Sequence, residues 1–145
     1  MFMGEYHHNI DEKGRIVLPG KFRENNDKIV VTRGLEKCLY LYTYEEWEKV
    51  VNKLNSLPFT KKDARTFMRS FFAGAIVCEF DKQGRINITS PLVSYAGLTK
   101  ECVIIGVNDR IEIWDEGMYN KFFEENAEKM EEIAEHLFEG SYETL

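Results

Sequence analysis

Two stretches of the chain alternate in the same way. In Arg15-Ile-Val-Leu-Pro19 and Arg85-Ile-Asn-Ile-Thr89 the apolar side chains recur at every second position. That is the strand period, so Ile16 and Leu18 share one face, as do Ile86 and Ile88. Arg15 then falls on the opposite face with Val17, and Arg85 with Asn87. Each stretch follows an Asp-x-x-Gly sequence, Asp11 to Gly14 and Asp81 to Gly84. Asp first and Gly fourth suit a type I turn followed by a positive-φ glycine, with the carboxylate accepting from turn amides. The chain therefore writes one hairpin twice.

The repetition extends beyond the hairpin. The copies align without gaps from Asp11/Asp81 through Ile16/Ile86, Leu18/Ile88 and Phe22/Leu92. Further on, "KIVVTRG" matches "CVIIGVN", and "CLYLYTYEEW" matches "RIEIWDEGMY" after a small slip in register. Each copy reads as hairpin, short helical turn, strand, strand and helix. Ser90 as cap with Pro91 after it starts the second short helix, which stops at Gly97. "PGKFREN" does the same in the first copy and stops near Asn25–Asn26. Two β-rich units that cannot easily close alone predict one compact pseudo-twofold barrel whose halves exchange hairpins or strands.

Longer helices are marked by caps. Thr43-Tyr-Glu-Glu46 is a capping box before the stripe Trp47, Val50, Val51, Leu54. Thr60-Lys-Lys-Asp63 predicts a second helix ending at Gly74, with a break over Asn55–Phe59 that contains Pro58. A last helix is expected from near Glu116, with Met118, Phe122, Ala127, Met130, Ile133 and Leu137 as its stripe. The organisation expected is a first repeat over 5–52, a linking helical segment over 53–78, a second repeat over 79–122, and an acidic helix and tail over 123–145.

Composition narrows the function. With 145 residues, 43% hydrophobic and 30% charged, the chain can bury a real core. No apolar run approaches the roughly 20 residues of a membrane span, and "MFMGEYHHNID" lacks the basic flank and apolar stretch of a signal peptide. A cytoplasmic protein is expected. Cys38, Cys78 and Cys102 sit in apolar contexts, as buried thiols rather than ligands or disulfides. Adjacent His7 and His8 point to opposite faces of a strand and cannot grip one metal together. The chain has no Walker-type glycine loop, no zinc-ligand spacing and no nucleophile with a credible base. No enzymatic activity, cofactor, metal or small-molecule substrate is expected.

The net charge of −6 is unevenly spread. From Asp115 onward ten acidic residues face two basic ones, which leaves residues 1–114 at +2. Asp11–Arg33 carries six basic residues against four acidic. A mildly basic N-terminal region on a strongly acidic tail keeps nucleic acid open as a partner.

"MFMGEYHHNIDEKGRIVLPGKFRE", "DARTFMRSFFAGA" and "DKQGRINI…LVSYAGL" together resemble the MraZ family of bacterial transcription regulators, associated with the division and cell-wall gene cluster. The resemblance covers nearly the full length and weakens after about Phe123. It implies an α+β fold of tandem AbrB-like swapped-hairpin units flanked by helices. It also implies a nucleoid-associated homo-oligomeric ring that binds short direct repeats of double-stranded DNA upstream of its own operon. Carried over by position, the DNA-binding motifs are Asp11 with Arg15 and Asp81 with Arg85. Lys13, Lys21 and Arg23 cluster with the first motif in sequence. Pro91 and Val93 stand where the second copy would repeat Lys21 and Arg23. The first copy is therefore expected to be the main contact and the second mainly structural. Arg65 and Arg69, four apart on one helix face, with Phe67 and Phe71, are expected at a subunit interface. The competing reading is an oligomeric interaction or scaffold protein with incidental DNA binding.

Overall fold

The computed structural model describes residues 1–138 and divides into two compact units, Met1–Asp115 and Glu116–Leu145. In the first unit the strands are β1 (Glu5–Asn9), β2 (Arg15–Val17), β3 (Lys28–Arg33), β4 (Leu39–Tyr42), β5 (Ile76–Glu79), β6 (Arg85–Asn87), β7 (Glu101–Val107) and β8 (Arg110–Asp115). Helix α1 covers Tyr44–Asn55, α2 Lys62–Ala73 and α3 Ser90–Ala96. Strand β5 thus begins within the stretch read from sequence as linker and runs one residue past it.

Six strands form an antiparallel sheet in the order β1-β7-β8-β4-β3-β5, and β2 pairs with β6 in a separate two-stranded ribbon. The order is a palindrome of the repeat, because β1, β3 and β4 of the first copy correspond to β5, β7 and β8 of the second. The copies exchange strands as expected: β1 pairs with β7 across copies, and β5 with β3. The expected barrel is not closed by hydrogen bonds, since β1 and β5 remain the two sheet edges. The hairpin turns explain this. Each turn is latched at its base, Asp11 N–H to the Arg15 carbonyl at 3.0 Å and Asp81 N–H to the Arg85 carbonyl at 2.9 Å. Beyond the latch the arms part, one to the sheet and the other to the ribbon. Leu18 N–H donates to the Gly84 carbonyl and Ile88 N–H to the Gly14 carbonyl, binding each copy to the other's turn.

One core fills the space between sheet and ribbon. Ile16, Leu18, Phe22, Ile86, Ile88 and Leu92 meet Ile29, Leu39, Leu41, Ile104, Ile111 and Ile113 there, all at most 2% exposed. Cys38, Cys78 and Cys102 are buried thiols. Burial pushes the Cys78 thiol up to about 11 and raises Cys38 as well, so neither is a ready thiolate.

Helices α1 and α2 pack through an aromatic cluster. Trp47 stacks on Phe71 at 5.5 Å, Phe67 stacks on Phe71 at 5.6 Å, and Tyr42 meets Phe71 edge-on. The Thr43 hydroxyl accepts from Glu46 N–H at 3.2 Å, the cap its sequence specifies. Thr60 does not cap α2. Lys61 N–H closes a turn onto the Pro58 carbonyl, and Lys61 becomes the residue before the helix, with no side-chain cap. Helix α3 begins at Ser90, so Thr89 precedes it rather than Ser90, and left-handed Gly97 at φ 61° ends it. The first copy uses only a 3-10 turn, Gly20–Phe22, at the equivalent place.

The second unit holds α4 (Glu116–Ala127) and α5 (Met130–Leu137). The single long helix expected there is broken. Its apolar stripe steps by five residues from Phe122 to Ala127, off the helical three-four rhythm, and the Asn126 amide donates to the Phe122 carbonyl at 2.7 Å. Of the acidic segment expected over 123–145, residues 139–145 lie outside the described residues.

Candidate nucleic-acid interface

The two Asp-x-x-Gly-Arg turns are built alike. Asp11 Oδ1 accepts from the amides of Lys13 and Arg15, each at 2.9 Å, and Asp11 Oδ2 accepts from Arg15 Nε at 2.6 Å. Asp81 Oδ1 accepts from the amides of Gln83 and Arg85 at 2.9 and 2.8 Å, and its Oδ2 from Arg85 Nε at 2.7 Å. The arginine amide chiefly, then its guanidinium and the amide at the turn's third position, hold each carboxyl below its ordinary value. Gly14 and Gly84 supply positive φ, 83° and 76°. In both turns the carboxylate engages the arginine through Nε.

The ribbon brings the two clamps together. Arg15 faces Asn87 and Arg85 faces Val17 across β2–β6, with Ile16 opposite Ile86. Ile16 and Ile86 turn inward at 1% exposure each. Arg15 and Arg85 are therefore diagonal neighbours on the outward face, a relation that spans about 7–8 Å. Their side chains are about a third exposed, at 35% and 27%. Sequence placed these residues seventy positions apart; strand exchange makes them one surface.

The remaining basic residues distribute differently from their order in the chain. Lys13 is exposed at the tip of the first turn, and Lys82 at the tip of the second. Lys82 takes the position of Glu12 in the repeat, and the sequence reading passed over it. Arg23 does not join Arg15. Its Nε donates to the Leu18 carbonyl at 2.9 Å, and its guanidinium lies over Gly84, where an added Cβ would come within 2.5 Å of Cζ. The first copy thus furnishes a cation to the second copy's turn. At the equivalent place over the first turn stands Val93, beside a depression of about 230 Å³ lined also by Gly14, Lys13, Ser90 and Thr99. Lys21 lies elsewhere, in a depression with Phe2, Thr43, Glu46 and Asn108 that includes neither turn.

The residues expected at a subunit interface separate too. Phe71 is enclosed in its own chain at 6% exposure, so it is core rather than contact surface, while Phe67 is 36% exposed. Arg65 donates to the Phe59 carbonyl at 3.0 Å. With Arg69 it lines an apolar groove where α1 turns into α2. Among the described residues no group of three or more His, Cys, Asp or Glu side chains could hold a metal ion, and no helix is long and apolar enough to cross a membrane.

A family model described as "MraZ protein, putative antitoxin-like" matches the chain twice, over residues 1–70 and 71–140. Each match contains one Asp-x-x-Gly-Arg turn. With both repeats matched over nearly its whole length, the chain belongs to the MraZ family.

Proposed function

We propose that the protein is a sequence-specific DNA-binding regulator of transcription, acting on short direct repeats upstream of its own operon in the division and cell-wall gene cluster. It works without catalysis, as a ring-shaped homo-oligomer associated with the nucleoid. The observation that carries this reading is the pair of Asp-held arginines side by side on an exposed two-stranded ribbon. The major groove of B-DNA admits a two-stranded β-ribbon. An arginine fixed through Nε offers its outer nitrogens in a set direction to a guanine edge or a phosphate, with little rotamer freedom left to lose on binding. Arg15 and Arg85 are the groove-facing pair in this reading, and Lys13, Lys82 and Arg23 lie where flanking phosphates would run.

Both arginines contact DNA in this reading, where the sequence alone favoured the first copy; the like construction of the two turns supports it. One ribbon still carries only a modest positive excess, since Asp11, Glu12 and Asp81 offset part of it. A single subunit binds weakly on these terms. Several subunits in one ring present successive ribbons to successive DNA repeats, and avidity then adds roughly 10²–10⁴ in affinity.

A gel-shift titration at near-physiological salt tests the reading, comparing DNA from upstream of the chain's own operon with a scrambled duplex. The expected result is preference for the operon DNA by about 10³ or more, lost in both Arg15→Ala and Arg85→Ala with oligomer size unchanged. Equal affinity for the two duplexes overturns it in favour of the scaffold reading.

A further inference from the structure

The elbow between α1 and α2 carries a groove of about 340 Å³, walled by Leu54, Leu57, Phe59, Ala64 and Met68 and rimmed by Arg65 and Arg69. Its apolar residues are unusually open: Phe59 is 82% exposed and Leu57 39%. Around it the chain is strongly basic. Between 53 and 69 stand Lys53, Lys61, Lys62, Arg65 and Arg69 against Asp63 alone. An apolar floor inside a cationic rim selects its occupant by chemistry. It needs aliphatic side chains on one face and carboxylates at the edges.

Helix α5 has that pattern. Met130, Ile133, Ala134 and Leu137 recur at i, i+3, i+4 and i+7, which gathers them on one side of a two-turn helix. Met130 is 51% exposed, Ile133 38% and Leu137 76%. Glu128, Glu131, Glu132 and Glu135 supply the negative charge, against Lys129. An eight-residue helix is too short to persist on its own propensity. It therefore gains by laying its apolar face into a groove, as amphipathic helices do in many complexes.

We propose that the α1–α2 groove receives helix α5 of a neighbouring copy of this chain, with Ile133 and Leu137 on the apolar floor and the glutamates against Arg65 and Arg69. Two groove surfaces meeting each other would set like charges together, so a symmetric dimer through the elbow is disfavoured. Groove to helix is a contact between two different surfaces, and such heterologous contacts generate rings when the rotation closes. The inference rests on the assembly part of the proposed function and gives it an interface. It also assigns helix α5 a binding role.

The test uses full-length chains and no DNA, so its failure is separable from failure of the DNA-binding reading. One tagged chain carries Met68→Cys, a second with a different tag carries Ile133→Cys, and the two are mixed and oxidised. The native cysteines are buried. The expected result is a disulfide joining the two tags, absent when either chain is oxidised alone. In parallel, Arg65→Glu with Arg69→Glu should weaken assembly at least tenfold by light scattering. Mixing that chain with one carrying Glu132→Lys and Glu135→Lys should restore it. A chain bearing both cysteines that links only within itself overturns the proposal. So does an unchanged oligomer size in the Arg65→Glu, Arg69→Glu variant, whose exposed positions leave the fold intact by circular dichroism.

Discussion

The Arg23 guanidinium, anchored by Nε to the Leu18 carbonyl, lies over Gly84 of the other repeat. Two consequences follow from this one packing. Gly84 is required for its positive φ and also for the room it leaves above the turn. The second Asp–Arg clamp also gains a neighbouring cation that its own repeat, with Val93 at the equivalent position, does not encode.

Arg23→Ala should weaken specific DNA binding while leaving the melting temperature within a few degrees, because its contacts are half-buried and at the ribbon's edge. The salt dependence reports the mechanism. Loss of one phosphate contact lowers the slope of log K against log salt by about 0.9 per contact site. Gly84→Ala should imitate it in part, by pushing the guanidinium aside, and should add a stability cost of about 1–2 kcal/mol for the positive φ. An unchanged salt slope in Arg23→Ala would place this side chain off the DNA.

Gly14→Ala should be the more damaging glycine substitution. At Gly84 an added methyl meets the end of a side chain, but at Gly14 it meets the Ile88 carbonyl oxygen far inside contact distance. That carbonyl belongs to the strand whose N–H donates to the Gly14 carbonyl at 2.7 Å, so neither backbone segment can yield alone. The expected cost is about 2–4 kcal/mol, read as a lower melting temperature with both strands of the ribbon affected. Equal stability of the two alanine variants would contradict this geometry.

The turns also set an acid limit. Asp11 and Asp81 are held below their ordinary carboxyl value, mainly by the amides of Arg15 and Arg85. A carboxyl with a depressed folded value stabilises the fold above the unfolded value, and this contribution is lost as pH falls through the folded one. The turns should therefore be indifferent to pH through neutrality and loosen only below the usual carboxylate range, near pH 4. Carbon-detected NMR titration should find both carboxyl groups with midpoints below the ordinary aspartate value. Asp11→Asn should remove the acid sensitivity of the first turn alone. A midpoint at the ordinary aspartate value for either group would show that the clamp does not hold in solution.

What the sequence disclosed was mostly local. Asp, Gly and Arg at fixed offsets specify a turn through short-range chemistry, and the clamps at Asp11 and Asp81 formed as that chemistry dictates. The capping box at Thr43 is equally local. The strand exchange was expected in kind, but its pairings join residues from 45 (Val31 with Ile76) to 100 (Glu5 with Ile105) positions apart and leave no periodic trace. Arg23 shows the cost of reading neighbourhood from the chain: it follows Arg15 closely in sequence, yet exchange carries it to the other turn. Thr60 failed as a cap because the preceding proline draws it into a turn of its own. Phe71 was expected at a subunit interface because helical spacing alone does not tell a core aromatic from a contact one; the stacking of Trp47 against it marks a core position. The elbow groove had no sequence signal beyond Leu57 and Phe59 beside a proline.

The asymmetry of the repeat gives the last prediction. Over the second turn Arg23 fills the space above Gly84, while over the first turn Val93 leaves a depression of about 230 Å³ that opens beside Gly14 and Lys13. Val93 is half-buried on α3 and its neighbours Ser90 and Ser94 are exposed, so a longer side chain has a path to solvent. In Val93→Arg the aliphatic stem can keep the apolar contact while the guanidinium reaches toward the first turn. The variant should fold with a melting temperature close to the parent and bind operon DNA more tightly, by about 3–10-fold in a single-subunit contact, with the salt slope steeper by about 0.9. In a ring the gain multiplies over engaged subunits until the DNA repeats are all occupied. Val93→Leu serves as the control for packing and should change neither quantity. If Val93→Arg folds normally but leaves affinity and salt slope unchanged, DNA does not pass over the first turn, and the interface must then be confined to the side of the ribbon that Arg23 and Arg85 occupy.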